Sequence, residues 1–261
     1  GLDSAIQQGQ FSLESGSTPI EIAEQLIRQE KGILVLPGYR LEEVAKIVAN
    51  NTNISEDEFL AMAERPGEYG IVSTLPIENG LEGFLFPQTY PVIEDTVSVH
   101  SLITAMLLQM QDIVTPEMIE GFENQGLTVK EAFIMASMIE RENYVNDISE
   151  MRKMAAVFYN RIDAGMMFQS DPTVQYGLRN ITGSGDWWPS ITQENYTNTD
   201  SPYNTYLYPG FPPGPICMPS IEALWAVANP LENQFLFFRS CPGEDFHRFS
   251  ISHEEHLNAC Q

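Results

Sequence analysis

Basic residues are scarce in this chain. Thirteen Lys and Arg stand against 36 Asp and Glu among 261 residues, a formal net charge of −23. Such a surface repels nucleic acid and anionic lipid, so neither is expected as a direct partner. The excess itself reads as a solubility feature. Long apolar runs are also missing: none approaches the roughly 20 residues of a membrane span. No signal peptide is recognisable, because Gly1–Gln10 is polar and begins without Met. That is the pattern expected of a mature or trimmed chain, with any anchor upstream of Gly1. The three cysteines, Cys217, Cys241 and Cys260, include no CxxC pair. His247 and His256 are nine residues apart and share no helical face, so no metal site and no cofactor is expected. In an oxidising compartment Cys241 and Cys260 would pair and leave Cys217 free; the alternative is three free, partly buried thiols.

What is present is an ordinary globular composition, 43% hydrophobic, enough for one large domain or two modest ones. Near the start, "FSLESGSTPIEIAEQLI" and "ILVLPGYRLEEVAKIVA" repeat one plan: a β-rich run, a glycine (Gly16, Gly38), then a helical pattern with Ala seven residues later (Ala23, Ala45). Ser55 begins a short helix, with Glu58 placed for a capping box. Residues 97–123 read as two helices, the second starting at Thr115-Pro116. Thr128 with Glu131 is a capping box opening another, and a further helix covers about Ile148–Ala164. Beyond it the chain reads as loop-rich up to a helix over Ile221–Ala228, a strand in "QFLFFRS" and a His-bearing tail.

The stretch "AFIMASMIEREN" leads a carboxylate into an apolar face. Val129, Phe133, Ala136 and Glu140 fall on one stripe at a period of ~3.6 residues, while Arg141 lies about 100° and Glu142 about 200° round the helix. Glu140 therefore leaves a buried face into a partly desolvated place, where its pKa rises and it can act as a general acid. Glu142 reads as solvent-facing, or paired with Arg141 or Arg152. The plainer alternative is a solvated helix end.

Six blocks occur in order: "EGFLFPQTY", "ASMIEREN", "VFYNRI", "MMFQSDPTVQYG", "SPYNTY" and "GFPPGPICMP". Together they closely resemble the YceG-like family, the MltG-type endolytic murein transglycosylases, from about Phe11 to His256. The resemblance implies an α+β chain: a small LysM-like βα module over residues 1–76, then a mostly helical catalytic domain with a short β-sheet over residues 77–261. It puts the catalytic acid on Glu140. It also implies non-hydrolytic cleavage of the β-1,4 bond between N-acetylmuramic acid and N-acetylglucosamine. In that reaction the muramic 6-hydroxyl attacks its own C1 and leaves a 1,6-anhydro end. The expected partners are peptidoglycan glycan strands and, further off, cell-wall synthases. The expected setting is the outer face of the bacterial cytoplasmic membrane, held by an upstream anchor. Gln88 stands where the resemblance leads one to expect an acid in many relatives; either that position is not itself catalytic or this member is tuned differently. Two other readings remain open: a non-catalytic peptidoglycan-binding module, and a hydrolytic muramidase.

The candidate substrate-binding residues are Glu82, Gln169, Ser170, Asp171, Gln175, Tyr176, Tyr203, Asn204, Tyr206 and His247. Amide, hydroxyl and carboxylate groups suit sugar hydroxyls and acetamides, and tyrosine rings present a flat face to a pyranose. Each has a structural alternative in turns, caps or core packing. Trp187 and Trp188 would extend the sugar platform or pack their loop on the core. Asn160 and Arg161 read as helix residues, Arg161 being free to pair with an acid.

Overall fold

The computed structural model describes residue 18 and residues 31–70, 74–78, 80–92, 97–143, 145–183 and 185–261. The first unit of the N-terminal echo lies outside the described residues, apart from Thr18. The second unit is present as β1 (Lys31–Leu34) and α1 (Leu41–Asn51), whose inward face carries Val44, Ala45 and Val48. β1 pairs antiparallel with β2 (Thr89–Val92), with Ile33 opposite Tyr90. This ladder joins the expected N-terminal unit to the segment after residue 77.

Helix α2 (Glu56–Ala63) is capped by Ser55, which accepts from the Glu58 amide at 3.2 Å, one half of the expected box. After a 3-10 turn at Pro66–Tyr69 come α3 (Val99–Ile113) and α4 (Pro116–Asn124); Thr115 caps α4 and Pro116 fits its first turn. Then α5 (Val129–Glu142) opens on the predicted box: Glu131 N donates to Thr128 Oγ1 and Thr128 N to Glu131 Oε2. Helix α6 (Ile148–Asp163) follows.

Helix α5 is the axis of the fold. Every residue from Ala132 to Ile139 is buried, and α4, α6, α9 (Ile221–Ala228) and α7 (Asp171–Thr182) pack around it. A helix apolar all round is a core helix, not an amphipathic one. The single-stripe reading of α5 is therefore corrected. It failed to separate Glu140 from Glu142, because both leave a helix buried on every side.

A second correction concerns "FQSDPTVQYG", read as loop-like. It starts α7, with Asp171 and Pro172 in the first turn and Thr173, Val174, Tyr176 and Gly177 buried. Pro preorganises a first helical turn and lacks only a donor that would be unpaired there. Gly177 is required by proximity, since a Cβ there would lie 2.7 Å from Ser201 Cβ. A short helix α8 (Asn195–Asn198) follows.

The chain ends in an antiparallel pair, β3 (Phe237–Arg239) and β4 (Arg248–Ser250), and α10 (His253–Asn258). A Cys241–Cys260 disulfide, Cα to Cα 5.4 Å, ties this unit together, and Cys217 is a buried free thiol. The described residues form an α+β fold, mostly helical with two small sheets.

Candidate active site

Glu140 is positioned by a contact one turn upstream of it. Inside α5 the buried Ser137 hydroxyl donates to Ile134 O and accepts from Ile216 N at 3.0 Å, while Cys217 Sγ donates to Ser137 O. This pins the segment before α9 against α5. Ser220, the α9 N-cap, then reaches Glu140: its amide donates to Oε2 at 3.0 Å and its hydroxyl to the same oxygen at 2.5 Å. Oε1 takes no hydrogen bond among the described residues. Burial holds the Glu140 carboxyl above the usual carboxylate range; Glu222 adds to this, and the two Ser220 bonds and Arg141 oppose it.

On the other flank Glu142 is half-buried and, among the described residues, makes no ion pair with Arg141 or Arg152. Its Oε1 accepts from Ser170 Oγ at 2.7 Å. Burial and the Asp171 charge push it up to about 7, against Ser170, Arg161 and Arg141. Asp171 in turn accepts from Tyr206 Oη at 2.6 Å and Tyr196 Oη at 3.1 Å.

Between Phe168 and Ser170, Gln169 adopts φ +49°. The cause is local. Arg161 binds the carbonyls of Met167 and Phe168, while Gln169 N donates to Thr205 O and Ser170 N to Thr205 Oγ1. Backbone held on both sides can sustain a left-handed residue that would otherwise relax. Gln169 is thus displayed outward beside the Ser170–Glu142 contact.

The third carboxyl, Glu82, accepts from Leu41 N through both oxygens at 3.1 and 3.2 Å, and from Tyr176 Oη at 3.3 Å. Burial, then Glu42, push it up to about 8, opposed by Arg40, the Leu41 amide and Tyr176. Arg40 is fully buried, bonded to Glu42 and Asn180, with its guanidinium 4.1 Å over the Tyr176 ring. The β1–α1 loop thereby becomes part of the site: Gly38 N donates to Met218 O and Met218 N to Tyr39 O.

The other expected residues divide by burial. Tyr176 is inside, its ring 4.6 Å from that of the half-buried Tyr203, whose hydroxyl burial pushes up to about 12. Gln175 donates to Pro189 O and steadies the Trp187–Trp188 loop. Asn204 spends its amide within the protein. It is 0% exposed; its amide nitrogen donates to Tyr196 O and Thr199 O, and its oxygen accepts from Tyr206 N. The His247 side chain packs on Glu150, Nδ1 to Oε1 3.2 Å, and edge-on to Phe238. Among the described residues Arg161 forms no ion pair and binds backbone carbonyls, including Leu236 O; Asn160 does likewise at Asn233 and Phe235.

Sequence reasoning missed Ser220, Arg40 and the half-buried Glu142. Ser220 carried one local signal, a serine before the apolar run of α9, but its reach to Glu140 depends on a contact 80 positions away.

The chain matches the YceG-like family over residues 1–261. It belongs to that family. It is 30% identical over 251 residues to an endolytic murein transglycosylase of Bacillus subtilis, covering 90% of this chain and 67% of that protein. It is 28% identical over 242 residues to an endolytic murein transglycosylase of Streptococcus pneumoniae, covering 85% of this chain but only 43% of the relative. A crystal structure of a yceG-like protein from Listeria monocytogenes superposes with a TM-score of 0.76 at 25% identity, covering 98% of this chain and 86% of that one.

Proposed function

We propose that this chain is the wall-cleaving part of an endolytic murein transglycosylase and that Glu140 is its acid and base. The observation that carries the reading is the Glu140 carboxyl: desolvated, fixed through Oε2 by Ser220, and open at Oε1. Protonated, Oε1 hands its proton to the glycosidic oxygen as the muramyl C1–O bond breaks. The resulting carboxylate takes the proton of the muramic 6-hydroxyl as that oxygen closes on C1. The nucleophile belongs to the substrate, so no carboxylate nucleophile is needed, unlike the two-carboxylate glycosidases. Attack within one sugar also avoids recruiting a water.

Of the expected residues that keep exposed or half-buried surface, we assign sugar contact to Gln169, Asp171, Tyr203 and Tyr206. Ser170, Gln175, Tyr176 and Glu82 act one step back, holding those groups. The β1–α1 unit is assigned to a LysM-like N-terminal module, with the catalytic part from about residue 77. No described helix is long and apolar enough to cross a membrane, so attachment to the cytoplasmic membrane would need a segment outside those residues. The Cys241–Cys260 disulfide supports an oxidising, extracytoplasmic setting, where cell-wall synthases are accessible partners.

Digestion of purified peptidoglycan, followed by mass analysis of the fragments, tests this. Internal cuts bearing 1,6-anhydromuramyl ends are expected. Free reducing ends would make the protein a muramidase, and an untouched substrate would make it a binding module.

A further inference from the structure

Arg141 follows Glu140 directly, and the Glu140 mechanism gives it no task. Its guanidinium carbon lies 4.0 Å over the Trp188 ring. On the other side it meets Gly38, where a Cβ would come within 3.1 Å of Nη1 and 3.6 Å of Cδ. Gly38 has φ +80°, so both its conformation and its missing side chain make room for the flat group. The guanidinium is thus slotted between an indole face and a backbone turn.

Nothing in that slot uses its donors. Among the described residues Arg141 makes no hydrogen bond and no ion pair, and its Nε is buried without a partner. The Trp188 Nε1 beside it is buried without a partner as well. Arg40, Arg248 and Arg161 are by contrast engaged by carboxylates or carbonyls, while Arg179, over Trp187, likewise keeps a buried Nε without a partner. Glu140 and Glu142 both feel the Arg141 charge, yet neither lies within ion-pair distance of it. A buried donor left unpaired costs stability. A guanidinium laid flat on an aromatic ring still keeps its edge free for a carboxylate fork.

We propose that Arg141, held by Trp188 and Gly38, is a carboxylate subsite adjoining the acid, and that it receives an anionic group on the substrate's muramyl side chain. The inference rests on the peptidoglycan reading above. Two carboxylates of that substrate have the right chemistry: those of the peptide stem, and the lactyl carboxylate exposed when the stem has been removed. An anion seated there would register the muramyl residue against Glu140 and give the enzyme a preference for particular stem states.

The test measures binding in an Glu140→Gln background, so that no cleavage intervenes. The ligands are a muramyl-containing tetrasaccharide with free stem carboxylates, the same compound with those carboxylates amidated, and the same compound stripped of peptide. Free stems are expected to bind about tenfold more tightly than amidated ones. Arg141→Gln should erase that difference, and Arg141→Lys should keep only part of it, because a point charge lacks the fork. A stripped ligand that binds like the free-stem form assigns the lactyl group; one that binds like the amidated form assigns the stem. Equal affinity for all three, or a preference unchanged in Arg141→Gln, overturns the subsite. Should the Gln variant melt below assay temperature, the Lys variant carries the same comparison. Products of the wild type are scored separately: anhydro ends without carboxylate discrimination sink the subsite alone, whereas absence of cleavage sinks the reading beneath it.

Discussion

Two carboxyls leave the same end of α5 on nearly opposite sides, and each is met by a serine that starts another helix. Ser220 opens α9 and serves Glu140 with an amide and a hydroxyl, while its Oγ also caps the helix by accepting from Ala223 N. Ser170 opens α7 and serves Glu142 with its hydroxyl only; it makes no cap bond, and its amide goes to Thr205. The difference lies in the electrostatics around the two. Glu140 sits at a helix N-terminus with two donors on one oxygen, an arrangement that lets it hold or release a proton. Glu142 has one donor and a like charge, Asp171, beside it, and stays protonated up to about pH 7. Two half-buried carboxyls on one helix thus sit in different electrostatic settings.

The sharpest way to break this comparison is to neutralise each in turn. Glu140→Gln should lower the rate of strand cleavage by about 10²–10⁴, with little change in melting temperature. Glu142→Gln should cost no more than about tenfold. A larger loss at Glu142 would reverse the assignment.

Only part of this contrast was legible in the sequence. Thr128 and Glu131, Ser55, and Thr115-Pro116 marked their helix starts correctly because capping is local chemistry. The apolar run before Glu140 identified a buried helix. It carried no information about what covers the far side, so Glu142 was read as wet. Helix α7 was missed because Asp171-Pro172, taken for a turn, is equally a first helical turn, and the choice is made by burial of Val174 and Tyr176. Asn204 and His247 looked like sugar ligands on residue type alone. The bonds that take them inside reach Thr199 and Tyr196 in one case and Glu150 on α6 in the other. The disulfide, one of two readings left open by spacing, required the fold of the last hairpin to bring its ends together.

Stability against pH sharpens the comparison further. Glu82 and Glu142 have folded pKa values of about 8 and about 7, both raised from 4.5. The folded state therefore holds these protons more tightly than the unfolded chain does. Their contribution is complete below about pH 4.5 and is lost as pH rises through 7 and 8. Glu82→Gln keeps an acceptor for Leu41 N and removes one of the two titrations. Between pH 5 and 9 the wild type should lose about 2–4 kcal/mol relative to this variant, as read by denaturant unfolding. Parallel pH curves for the two proteins would show that Glu82 is solvated.

The smallest effects separate the two serines. Ser220→Ala removes a cap and a hydroxyl bond to a carboxylate, and should cost about 2 kcal/mol. Ser170→Ala removes no cap, so its cost should be about 1 kcal/mol. The pH profiles should differ more clearly than the stabilities. Both Ser220 bonds hold the Glu140 pKa down, and the hydroxyl makes the shorter of the two. Without the hydroxyl, Glu140 keeps its proton to higher pH. An acid that must be protonated to act loses activity as pH rises through its pKa, so the alkaline limb of the rate profile should move upward in Ser220→Ala. In Ser170→Ala the displaced titration is that of Glu142, and it should appear in the unfolding curve while the rate profile stays in place. An alkaline limb that moves with Ser170 and not with Ser220 would mean that the proton delivered to the glycosidic oxygen comes from the other side of α5.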